Sequence, residues 1–88
     1  MRITAELSLY PLAGDFVGPI TDFILELRRQ PGLEVVTNPL STQVRGEFDA
    51  VTAAINHCTR LAMARVHPVV LVAKFVGADL DIATPPRL

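Results

Sequence analysis

Residues 37–49 read T-N-P-L-S-T-Q-V-R-G-E-F-D, and this stretch decides the fold. Asn38-Pro39 is a turn signal, because the residue before a proline is pushed out of the helical region. Beyond the turn the chain alternates. Thr42, Val44, Gly46 and Phe48 point one way and Ser41, Gln43, Arg45 and Glu47 the other, since successive strand side chains face opposite sides. Asp49 closes the stretch with a side-chain oxygen suited to cap a helix beginning at Ala50. A turn, a strand with one polar face and a helix start are thus packed into one short run.

Upstream of the turn, residues 33–37 (L-E-V-V-T) make a short strand behind the helix stop Pro31-Gly32. The helix before that stop carries Ile20, Phe23, Ile24 and Leu27 at helical spacing, with Phe16 one turn ahead. Gly18-Pro19 puts proline at a first helical position, and Arg28 and Arg29 put positive charge in the last turn, where it suits the helix dipole. Residues 2–10 alternate cleanly, Ile3, Ala5, Leu7 and Leu9 on one face and Thr4, Glu6, Ser8 and Tyr10 on the other. Downstream, residues 50–65 carry Val51, Ala54, Ile55, Cys58, Leu61 and Ala62 as a helical stripe. Pro68 ends that region, and residues 69–76 form a fourth strand rich in β-branched side chains.

The order β-α-β-β-α-β predicts a ferredoxin-like α+β fold: a four-stranded antiparallel sheet with both helices on one face. Residues 1–77 make a single domain. Residues 78–88 make a C-terminal tail with little periodicity and two adjacent prolines, expected to lie over the surface or fray. The first and third strands are expected side by side at the centre. A register pairing Ala5 with Gly46 sets Leu7 against Val44 and Ile3 against Phe48 under the helices. On the other face the same register sets Glu6 against Arg45 and Ser8 against Gln43. Leu7, Val44, Phe23, Ile24, Ile55 and Leu71 are the expected core.

Several function classes drop out on composition. With 88 residues and 50% apolar, the chain is one ordered domain, small enough that association would add useful burial. A formal net charge of −1, spread along the chain, leaves no footprint for nucleic acid or an anionic membrane. No apolar run is long enough to span a bilayer, and the N-terminus enters a strand pattern without a leader-like segment. The single Cys58 cannot form an internal disulfide, which fits a reducing, cytoplasmic location. His57 and His67 lack a second ligand at metal spacing and read as exposed histidines, and Cys58 falls in the apolar stripe. The glycines are spread singly, so no phosphate loop exists, and no aromatic pair offers an RNA-stacking platform on the central strands.

What remains is the sheet face opposite the helices, which no element is left to cover. It carries a polar row of Glu6, Ser8, Gln43, Arg45 and Glu47, flanked by Val36, Val70, Val72 and Val76. Exposed apolar patches mark contacts, so a homo-oligomer is expected, a dimer or a tetramer. A small-molecule binder is the leading reading. A small oligomeric enzyme of isomerase or oxygenase type and a purely structural association module are the alternatives. An enzyme needs an acid or base beside its substrate, and only Glu6 and Glu47 lie on that face.

Three segments together resemble the YkoF-like thiamine-binding family: I-T-A-E-L-S-L-Y-P-L at the start, P-G-L-E-V-V-T-N-P-L-S-T-Q-V-R-G-E-F-D-A-V in the middle and V-V-L-V-A-K-F near the end. The match runs from Ile3 to Val76. The resemblance implies the same split β-α-β fold, no catalysis, no cofactor, and thiamine or its hydroxymethylpyrimidine part as ligand. It also implies self-association for a chain with one such domain. Ser8, Tyr10, Asn38, Ser41, Thr42 and Glu47 sit in the matching motifs and are the ligand-binding positions it implies.

Overall fold

A computed structural model describes residues 1–88. The elements run β1 (Arg2–Pro11), α1 (Val17–Arg29), β2 (Leu33–Thr37), β3 (Thr42–Glu47), α2 (Phe48–Met63) and β4 (Val69–Val76). The strands form one sheet in the order β2-β3-β1-β4, every neighbouring pair antiparallel. This is the expected ferredoxin-like arrangement. Ile3, Ala5, Leu7, Leu9 and Val44 from the sheet meet Phe23 and Leu27 of α1 and Val51, Ala54, Ile55, Cys58 and Ala62 of α2 in one core. Each large apolar side chain taken fully out of water contributes about 1.5–3 kcal/mol, which these alternating and helical stripes collect on a single side. Of the expected core, Leu7, Val44, Phe23 and Ile55 are buried. Ile24 and Leu71 are only half-buried, because Ile24 lines a cleft and Leu71 lies on the edge strand.

Both helices begin earlier than the sequence pattern suggests. α1 starts at Val17 because the Asp15 carboxylate accepts hydrogen bonds from the Val17 and Gly18 N–H groups, each at 3.0 Å, so Pro19 is not the first helical residue. α2 starts at Phe48 and ends at Met63. Asp49 therefore does not cap it, but stands in its first turn, where a negative charge still suits the dipole. Phe48 does not continue the strand, and its N–H donates to the Met1 carbonyl at 2.8 Å.

This early start of α2 also corrects the register. Ala5 pairs with Val44, Ile3 with Gly46 and Glu6 with Gln43. The pairing of Ile3 with Phe48 fails because Phe48 has already turned into the helix. The displacement is an even number of residues, so no side chain changes face.

The open face is not wholly uncovered, for the tail crosses one end of it. The Thr4 hydroxyl donates to the Ala78 carbonyl at 2.9 Å and accepts from the Leu80 N–H at 3.0 Å, which leaves Thr4 4% exposed. Asp79 bridges two arginines, Nε of Arg45 at 2.7 Å and Nε of Arg2 at 3.0 Å. Arg45 is thus neutralised by the tail and by Glu34 at 3.9 Å, and not by Glu6 across the strands as the expected register implied. The Arg45 guanidinium holds the Asp79 carboxyl below its ordinary value, and the Arg45 pKa rises correspondingly, with Asp79 as the main cause of its shift. Asp81 closes the strap on itself by accepting from the Ala83 and Thr84 N–H groups.

Candidate ligand-binding cleft

The two ladders of β1 have unequal lengths. Pairing with β3 stops at Leu7–Thr42, whereas pairing with β4 continues to Pro11–Val69. Past Leu7, β1 therefore has a neighbour on one side only. The notch this leaves is a cleft of about 250 Å³, walled by Ser8, Leu9 and Tyr10 of β1, floored by Ile20, Phe23 and Ile24 of α1 and closed by the turn between β2 and β3.

That turn has its shape from Asn38. Its side-chain oxygen accepts from the N–H groups of Leu40 (2.9 Å) and Ser41 (3.1 Å), and its own N–H donates to the Ser41 carbonyl at 3.0 Å. An Asx turn of this kind suits a residue that precedes proline. Thr42 points to the helix side, 4% exposed, and shares a hydrogen bond with the Thr37 hydroxyl at 3.0 Å. Ser41 points to the open face. Its hydroxyl donates to Glu6 at 3.0 Å and accepts from the Gln43 amide at 2.8 Å, while Lys74 reaches the other Glu6 oxygen at 3.4 Å. The Ser41 hydrogen bond, followed by Lys74, holds the Glu6 carboxyl below its usual range. The result is an ionised carboxylate next to the cleft, joined to it through Ser41 and flanked by Lys74 and Gln43. Farther along the same face Tyr10 and Val72 stand exposed, with Val72 opposite Ser8.

Five of the six positions singled out from the sequence come together here: Ser8, Tyr10, Asn38, Ser41 and Thr42 all line the cleft. They do not share one role, since Asn38 and Thr42 spend their polar atoms inside the chain. Glu47 does not join them. It lies at the other end of β3, about 20 Å from Ser41 at roughly 3.3 Å per strand residue, and its carboxylate meets the N-terminal ammonium at 3.3 Å. Glu6 supplies the nearby carboxylate. It was visible in the polar row, but only the pairing of β1 with β3 and β4 places it beside Ser41 and Lys74.

Two other features carry less. A cleft of about 300 Å³ lies between the loops after β1 and after α2. Its charged groups are already engaged, Asp15 with the start of α1 and Arg65 with Asp22 at 2.6 Å. No group of three or more metal-ligating side chains exists, and burial pushes the Cys58 thiol up to about 11. No helix is long and apolar enough to cross a membrane.

The YKOF-related family model matches residues 2–78. The chain belongs to the YKOF-related family. Solved structures repeat the fold at low identity. A Streptococcus pneumoniae protein aligns with TM-score 0.82 and 23% identity over 91% of this chain and 90% of its own. A hypothetical protein of Methanocaldococcus jannascii aligns at 0.77 and 22% over 94% and 87%. A Thermotoga maritima protein with a suggested part in thiamine biosynthesis or salvage aligns at 0.67 and 20% over 93% and 91%. No curated protein matches the sequence. At these identities the structures speak for the fold of this YKOF-related chain, and its own cleft must speak for its chemistry.

Proposed function

We propose that this YKOF-related chain is a non-catalytic binding protein for thiamine or its hydroxymethylpyrimidine part, held at the notch beside β1. The observation that carries the reading is that Ser8, Tyr10 and Ser41 line one apolar-floored cleft and that Ser41 is hydrogen-bonded to the ionised Glu6 just outside it. An aminopyrimidine presents ring acceptors and an amino donor. The Ser8 hydroxyl can answer either, and the remaining lone pair of Ser41, whose hydrogen goes to Glu6, can accept from the amino group. The thiazolium is cationic, and both the Glu6 carboxylate and the face of Tyr10 attract a cation. The suggested thiamine role of the Thermotoga maritima relative points the same way. A catalyst would need a poised acid or base. The cleft offers instead a carboxylate held ionised by its neighbours, which favours binding over proton transfer.

Calorimetry with purified protein tests this. Thiamine and hydroxymethylpyrimidine should both bind. Glu6→Gln should weaken thiamine by about three- to tenfold, modestly because Lys74 shares the carboxylate. The neutral pyrimidine should be hardly affected, and Glu47→Ala should leave both unchanged. Absence of binding by either compound would remove the reading.

A further inference from the structure

Main-chain N–H and C=O groups alternate sides along a strand, and two bonds fix the phase in β1. The Leu12 N–H donates to the Pro68 carbonyl at 3.1 Å, so even-numbered residues direct their main-chain groups toward β4. The Phe48 N–H donates to the Met1 carbonyl, so odd-numbered residues direct theirs toward β3. Ile3, Ala5 and Leu7 stand opposite Gly46, Val44 and Thr42 on that side. Leu9 is next, and the ladder has ended. Opposite it the turn bonds internally: the Leu40 and Ser41 N–H groups go to the Asn38 side chain and the Asn38 N–H to the Ser41 carbonyl. Leu9 is 8% exposed, yet its N–H and C=O face the cleft without a partner from the chain. The side chain accounts for that burial, since it belongs to the core, and the main-chain pair opens onto the cleft, where water or a ligand must answer it.

We propose that this Leu9 pair is the specificity-determining element of the cleft and reads the amino edge of the bound pyrimidine. The N–H donates to the ring nitrogen, and the C=O accepts from the adjacent amino group. The inference rests on the functional reading above and adds which edge of the ligand is recognised. A planar ring lying in the gap extends the sheet beyond Thr42, where β3 begins, with Phe23 and Ile24 beneath it and Ser8 and Ser41 above. An added peptide strand fits poorly, since it needs a repeating series of donors, and the next odd-numbered residue, Pro11, has no N–H.

The test pairs amide hydrogen exchange by NMR with calorimetry, using 4-amino-5-hydroxymethyl-2-methylpyrimidine and the same compound lacking the amino group. In the free protein the Leu9 amide should exchange much faster than that of Leu7. The aminopyrimidine should slow Leu9 exchange by about tenfold or more and leave Leu7 unchanged. Loss of the amino group should weaken binding by about tenfold or more, because the Leu9 carbonyl is then covered and unpaired. If the aminopyrimidine binds but Leu9 exchange does not change and the deamino compound binds equally well, the inference fails and the functional reading stands. A Leu9 amide already as slow as Leu7 in the free protein also overturns it. If neither compound binds, both readings fall together.

Discussion

Gly46→Ala is a sharp test of how the sheet meets its helices. Gly46 is buried in β3 on the helix side, opposite Ile3 of β1 and Leu33 of β2. A Cβ built there would lie 2.8 Å from the Gly32 carbonyl oxygen, 3.1 Å from Leu33 Cδ2 and 3.6 Å from Val51 Cγ2. The nearest of these is backbone. Gly32 holds φ +77° in the turn before β2, so its carbonyl cannot swing aside as a side chain would. Relief requires β2 to move away from β3 or α2 to lift from the sheet. Inserting a methyl into a packed core typically costs about 1–3 kcal/mol. Lower chain entropy in the unfolded state returns about 0.4–1 kcal/mol for a glycine-to-alanine change. The net loss should be about 1–2 kcal/mol, a fall in Tm of roughly 5–15 °C for a domain of this size. Thermal unfolding followed by circular dichroism reads it directly. Gly77→Ala serves as the control, since nothing lies within 4 Å of a Cβ there and its φ is not positive, so it should leave Tm unchanged or slightly raised through the same entropy effect. An unchanged or raised Tm for Gly46→Ala would refute the close approach of Gly32.

Other perturbations separate the remaining parts of the structure. The Asp79 clasp involves a carboxyl whose native pKa lies below its ordinary value of 3.8, so its contribution is complete above that value and vanishes as pH falls through the lower native one. Protease cleavage within residues 78–88 should accordingly accelerate in strong acid or in Asp79→Asn at neutral pH, and equal cleavage of Asp79→Asn and the parent would mean that the clasp does not hold the tail. Asp15→Ala removes the acceptor for two amides at the start of α1 and should cost about 1 kcal/mol in urea unfolding. Val72, 54% exposed on the open face, should matter to self-association there. Sedimentation should show Val72→Lys shifting oligomer toward monomer and Thr52→Lys on α2 having less effect, whereas a parent that is monomeric at micromolar concentration would end the idea of an oligomer.

Side-chain alternation in β1 and β3, and the helical stripes between and after them, are properties of the chain alone. A side chain's face depends only on whether its position is odd or even, so the order of elements, the apolar face and the polar row were legible before any contact was known. The same periodicity explains what was hidden. A strand pattern looks identical after sliding by two residues, and the choice between Gly46 and Val44 as partner of Ala5 rests on where α2 begins. Asp49 looked like a cap and is a first-turn residue for the same reason. Glu47 shares a motif with Ser41 but stands at the far end of the strand from it, whereas Glu6, remote in sequence, lies beside it. The free main-chain pair at Leu9 has almost no signature in residue type, because any residue there except proline would carry it. It exists because β1 runs on past Thr42, the first residue of β3, and only the packed sheet decides where one strand outlasts its neighbour.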